Sequence, residues 1–164
     1  MSNTPNRALN PAGKPQKKEI ALDLSTARQM LPLVKSIVSD IVNSRQLLSR
    51  LTPEQERLDR HRRDLVWQER QRRYQVTDEI AAVEQTLTHA TGELAGLGVN
   101  LVDEEVGEVD FPTKINGRAA AFTWKFGDDA VGHWHYQGEE QLRPIPTEWD
   151  QSTSGVPIRF RGTP

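Results

Sequence analysis

The chain has 164 residues, no cysteine and a formal net charge of −2 at pH 7. That length suits one domain with its own core, and without thiols there can be no disulfide framework or thiolate metal site, which leaves His, Asp and Glu as candidate ligands. Apolar runs stay far below the roughly 20 residues that cross a bilayer, and residues 1–20 lack the apolar stretch of a signal peptide, so a soluble, cytoplasmic protein without membrane contact is expected.

The small net charge conceals an asymmetry, because residues 1–98 sum to +3 and residues 99–164 to −5. Opposite signs favour packing of the two parts on each other or a head-to-tail contact between subunits, although salt screens exposed charges beyond about 10 Å. Residues 1–20, with Pro5, Pro11, Pro15, Lys14, Lys17 and Lys18, have almost nothing to bury and read as a disordered tail. A single α+β domain is expected over 21–149.

Helical periodicity begins after Ser25, which is placed to cap a helix over about 26–51. Met30, Val34, Ile37, Ile41, Leu48 and Leu51 recur at spacings of three, four or seven, and Leu31, Leu33, Val38 and Val42 widen the stripe, so this helix buries against more than one neighbour. Pro32 should bend it or reset its start. Thr52-Pro53-Glu54-Gln55 then combines a capping threonine, a proline at a first helical position and a glutamine three residues on, which predicts a second helix over about 53–96. Its C-terminal half carries Val76, Ile80, Val83, Leu87, Ala90, Leu94 and Leu97 at alternating four and three, a coiled-coil seam, and Gly96 and Gly98 end it.

Helices of those lengths cannot match: at 1.5 Å per residue they span roughly 39 and 65 Å. Either the second overhangs the first, or residues 53–75 form a projecting arm or a broken third helix. Something else must cover apolar surface, and a homodimer or a helical protein partner is the simplest supplier.

After Gly98 the period changes to two. Val99 to Leu101, Glu108 to Phe111, Ala119 to Phe126 and Ala130 to Tyr136 read as strands, with Asn116-Gly117 and Gly127-Asp128-Asp129 as turns. The predicted fold is α+β: a long antiparallel helical hairpin, coiled-coil-like, packed on a small antiparallel sheet of three to four strands over about 99–136. Residues 150–164 read as a flexible tail, within which alternating Val156, Ile158 and Phe160 permit a short edge strand.

Three stretches carry a family resemblance: Ala27 to Leu33 (ARQMLPL); Leu97-Gly98-Val99 leading to Gly107-Glu108-Val109-Asp110-Phe111-Pro112; and Phe122 to Gly127 (FTWKFG) followed by Trp134-His135 and Arg143-Pro144-Ile145. On these the chain resembles an uncharacterised bacterial family, domain of unknown function 2203, over roughly residues 22–146. The resemblance implies membership and no activity. Where this chain has His133 that family usually has an aromatic or variable residue, so only His135 gains from it.

The residues that can carry chemistry are few. His133 and His135 sit two apart on a predicted strand, hence on one side, and can face one divalent ion with Asp110, Glu139 or Glu140 as carboxylate partners. Two histidines fall short of the roughly four ligands zinc takes, so a sheet-face pair without an ion is the stronger reading, and the sequence requires no cofactor. Asp110, His135 and Arg143 can instead line a small-molecule or anion pocket floored by Trp124 and Trp134. Between Arg57 and Arg73 stand seven arginines, among them Arg60, Arg62, Arg63, Arg70, Arg72 and Arg73, interleaved with Trp67 and followed by Tyr74, a nucleic-acid-like combination. Asp59, Asp64 and Glu69 are mixed in, and a solvated helix with pairs such as Asp59 with Arg63 and Glu69 with Arg73 accounts for the pattern more simply.

Phosphate-loop, nucleophile-elbow, HExxH and dinucleotide signatures are all missing from the sequence. The functional expectation is therefore a binding or protein-interaction module acting through its long helices. Two alternatives stay open: a metal- or ligand-dependent enzyme or sensor using His135 and Asp110, and a nucleic-acid-associated accessory protein using the arginine-rich helix.

Overall fold

A computed structural model describes residues 20–151; the expected tails, and the edge strand over Val156, Ile158 and Phe160, lie outside the described residues apart from Ile20, Asp150 and Gln151. Helix α1 spans Leu24–Arg60 and helix α2 spans Trp67–Gly96. Asp23, not Ser25, caps α1: its carboxylate accepts from the Thr26 amide at 2.6 Å, and that backbone hydrogen bond holds the carboxyl below its usual range. Pro32 lies within α1 and does not reset its start.

The turn falls at residues 61–66, not at Thr52-Pro53, and α1 runs through Pro53. A proline inside a helix removes one hydrogen bond. Against that loss, Leu51 and Leu58 on either side of it are 5% and 0% exposed, packed with Leu48, Leu65, Val76 and Ile80. Breaking the helix at 52 would uncover that cluster, worth roughly 1.5–3 kcal/mol per buried side chain, so burial outweighs the local stop signal. The hairpin arms are consequently 37 and 30 residues long and match far better than the expected pair. The argument for a second subunit from mismatched lengths loses its premise.

Five strands follow, one more than the three to four expected: β1 Asn100–Asp103, β2 Glu108–Ile115, β3 Arg118–Lys125, β4 His133–Tyr136 and β5 Arg143–Pro144. They form an antiparallel meander in the order β1-β2-β3-β4-β5. The two-residue β5 is too short to show any alternation in sequence. Asn116 and Gly117, with φ of 54° and 74°, make the tight β2–β3 turn that their identities predict.

Period two divides the sheet into faces. Val109, Phe111, Phe122, Trp124 and Trp134 point inward and join Ala27, Val34, Val38 and Ile41 of α1 and Ala90 and Leu94 of α2 in the main core. Trp149, in a 3₁₀ helix over Thr147–Gln151, adds edge and tilted ring contacts to Phe122 and Trp134, and Arg28 pairs with Asp150 beside it. Arg45 ties α1 to Glu104 in the β1–β2 turn at 3.3 Å.

Beyond Arg45 the helices continue as a two-helix arm whose own core, the Leu48 to Ile80 cluster, contains no sheet residue. From Leu47 to Arg60 the arm extends about 20 Å at 1.5 Å per residue. Among the described residues no helix is long and apolar enough to cross a membrane.

Candidate functional site

On the sheet's outer face the register sets Asp110 opposite Thr123 and Ala121 opposite His135, so three polar side chains from three strands meet. Thr123 donates its hydroxyl to Asp110 Oδ1 at 2.7 Å, and His135 Nε2 lies 2.9 Å from Asp110 Oδ2. The other ring nitrogen of His135, Nδ1, lies 2.9 Å from the Tyr136 carbonyl. Both imidazole nitrogens therefore face acceptors; a neutral ring can donate to only one, whereas a protonated ring donates to both beside the Asp110 carboxylate. The side chains of His135 and Asp110 are 16% and 15% exposed.

This is a carboxylate-oriented imidazole of the kind that moves protons in acid–base chemistry. Here, however, each nitrogen faces a protein acceptor 2.9 Å away, which a substrate or a metal would have to displace. His133 occupies the same face but is exposed at the strand start, and among the described residues no three His, Asp or Glu side chains converge to hold an ion.

The remaining predicted site residues stand apart from this pair. Trp124 and Trp134 point into the main core, and Trp124 Nε1 donates to the Asp128 carbonyl at 2.9 Å. Arg143 pairs with Trp134 across β4 and β5 on that same inner side, with its guanidinium 5.0 Å from the Trp134 ring and 3.0 Å from Glu139; Glu140 is exposed. Asp110 and His135 are thus separated from Trp124, Trp134 and Arg143 by the thickness of the sheet.

The arginine-rich segment becomes the end of α1, the turn and the start of α2. Two of its ion pairs cross the hairpin, since Arg73 reaches Asp59 at 2.7 Å and Arg72 grips Glu54 with two hydrogen bonds of 2.7 and 3.0 Å, while Arg72 also meets Glu79 along α2 at 3.2 Å. The Arg72 guanidinium holds Glu54 below the usual carboxylate range, and Glu54 raises Arg72 in turn. These pairs form because the turn at 61–66 lays the last turns of α1 against the first of α2. Among the described residues, Arg60, Arg62, Arg63 and Arg70 have no carboxylate partner within ion-pair distance. Beside them Trp67 and Tyr74 are 64% and 67% exposed, and Val66 is 58% exposed.

A shallow groove of about 300 Å³ lies at the base of the arm, where the two cores meet, lined by Asp40, Asn43, Ser44, Leu47, Val83 and Thr86. It contains one carboxylate and no other ionisable group. Neither it nor Thr123 was singled out in the sequence. For Thr123 a signal existed: the two-residue turn at Asn116-Gly117 fixes the register outward from Ile115 and Arg118, which pairs Asp110 with Thr123.

A family described as uncharacterized conserved protein (DUF2203) matches residues 21–141. No curated protein and no solved structure matches the chain.

Proposed function

We propose that this chain, which belongs to the DUF2203 family, is a protein-interaction module whose working surface is the outer side of α2 along the helical arm. One observation carries this reading: Trp67 and Tyr74 stand 64% and 67% exposed, whereas Trp124 and Trp134 are 1% and 9% exposed. A single exposed apolar residue is ordinary. Two large aromatics seven residues apart share one helix side, and leaving them in water forgoes roughly 1.5–3 kcal/mol each. Tryptophan, tyrosine and arginine are also the residues that dominate binding energy at protein interfaces, and Arg70 stands between them.

A photo-crosslinking residue placed in turn at 67, 74 and 114 tests the reading in living cells, since Lys114 is exposed on the sheet far from α2 in sequence. Protein adducts from 67 and 74 but not from 114 are expected. The same pattern from all three positions, or none from any, would overturn it.

A second reading rests on the arginines without carboxylate partners at the tip, which suit phosphate. Four phosphate contacts would make affinity for single-stranded nucleic acid fall with salt at a logarithmic slope of about −3. Absence of retention at low salt would discard it. The Asp110–His135 pair supports an acid–base role less well, because both of its ring nitrogens face protein acceptors that a substrate would have to displace.

A further inference from the structure

We infer that Arg118, Tyr136 and Arg143 form a binding site for a phosphate group, at the end of the sheet's inner face where Arg118 is exposed to water. The site contains no residue of the arm and goes beyond the reading given to α2.

Strand period brings the three residues together. Arg118 shares the inner side of β3 with Phe122 and Trp124, Tyr136 shares that of β4 with Trp134, and Arg143 stands opposite Trp134 on β5. Tyr136 therefore lies on the strand between the two arginines. The Arg118 Cζ is 4.0 Å from its ring centre and the Arg143 Cζ 5.3 Å, and Arg143 also lies 5.0 Å from the Trp134 ring. Aromatic faces attract guanidinium groups without using their N–H donors, which point outward in the guanidinium plane. Two cations are thus gathered at one phenol ring. Their repulsion is offset on one side only, by Glu139, whose Oε2 lies 3.0 Å from Arg143 Nη2.

What these donors lack is an acceptor. Among the described residues Arg118 has no carboxylate within ion-pair distance. Arg143 Nη1 is shielded from water and has no hydrogen-bond partner, and the same holds for Glu139 Oε2, which is out of line with Nη2. Buried charged groups left in this way are costly, so a native fold that keeps them calls for an explanation. Asn116 Nδ2 donates to the Tyr136 hydroxyl at 3.3 Å, which leaves the phenolic proton to be given to a ligand. Donors from three strands therefore converge beside one acceptor. A carboxylate offers two oxygens and suits a single guanidinium fork, whereas a phosphate monoester offers three, one each for Arg118, Arg143 and Tyr136. A hydroxyl next to the phosphate would donate to Glu139. The anion pocket expected around Arg143 keeps that residue, but its companions are Arg118 and Tyr136, since His135 lies on the other face.

NMR of the full chain tests the site. The Nε–H signals of Arg118 and Arg143 are followed while inorganic phosphate or glycerol phosphate replaces chloride at constant ionic strength, and both signals should shift saturably. Arg118→Gln and Arg143→Gln should each weaken binding roughly tenfold or more, as loss of a charge-assisted hydrogen bond does. Tyr136→Phe keeps the ring and should weaken it roughly threefold. Lys114→Gln removes a positive charge from the outer face and should change nothing. Arg118 and Lys114 are exposed, so their variants should keep the wild-type fold, which the same spectra report. Tighter binding of glycerol phosphate than of inorganic phosphate identifies the ligand as a phosphorylated hydroxy compound that also uses Glu139; equal binding identifies it as the free ion. Shifts that grow without saturating, saturable binding that survives in both arginine variants, or an equal loss in Lys114→Gln overturn the inference.

Discussion

Gly107, at the end of the β1–β2 turn, lies close against Val38 and Val42 of α1, and replacing it by alanine should be among the most damaging small substitutions in the chain. Its φ is +77°, and an added Cβ would stand 2.7 Å from Phe126 Cβ, 2.8 Å from Val38 Cγ1 and 2.9 Å from Val42 Cγ2. The left-handed backbone alone costs an alanine about 1–2 kcal/mol. Three carbon contacts this short must also be relieved by moving the turn away from α1 and from Phe126, an overpacking cost of about 1–3 kcal/mol. The sum, about 2–5 kcal/mol, is a large part of the roughly 5–15 kcal/mol that holds a domain folded. Gly117→Ala supplies the control, because Gly117 has φ of +74° with nothing within 4 Å of its Cβ position. It should lose only the backbone contribution. Urea denaturation of both variants, with unchanged slopes, measures the difference directly. Equal destabilisation by the two would refute the close approach of the turn to Val38 and Val42.

In the outer-face network, Asp110→Ala, His135→Ala and the double variant should show a coupling energy of about 1–2 kcal/mol by urea denaturation, below the roughly 1.5–3 kcal/mol of a well-buried charged hydrogen bond because the pair retains some water. Additive losses would mean that the 2.9 Å contact between Asp110 and His135 contributes nothing. Pro53→Ala, which returns an amide to the Ser49 carbonyl, should raise stability by about 1–3 kcal/mol, since proline is the costliest residue inside a helix. A lowered midpoint would place the end of α1 at Thr52 after all.

The hairpin, the sheet and the faces of both were legible because periodicity reports burial, and burial organises this fold. The point at which the hairpin folds was not. Thr52, Pro53 and Gln55 give a strong local start signal, but a local signal competes with whatever tertiary contacts a continued helix makes. Leu58 and Leu65 hold that balance: both are buried only because α1 passes through Pro53 and turns at 61–66. Nothing within the few residues around Thr52 announces a leucine six positions beyond it as a core residue of the arm.

The same displaced turn decides where the chemistry lies. Period two placed His133 and His135 on one side, and the same rule places Trp134 on the other, which separates the aromatic floor from the histidine of the expected pocket. Trp67 and Tyr74 were visible as aromatic residues among arginines, but their meaning depended on which side of α2 was already occupied. Val76, Ile80 and Val83 can seat α1 only if α1 is long enough to reach beside them and its partner turns back at once. With the turn at 61–66 that side is filled along most of the helix, and the row from Trp67 through Tyr74 to Ala81 is left facing away from α1. An aromatic row left outside by an otherwise well-covered hairpin is the feature that a partner must explain.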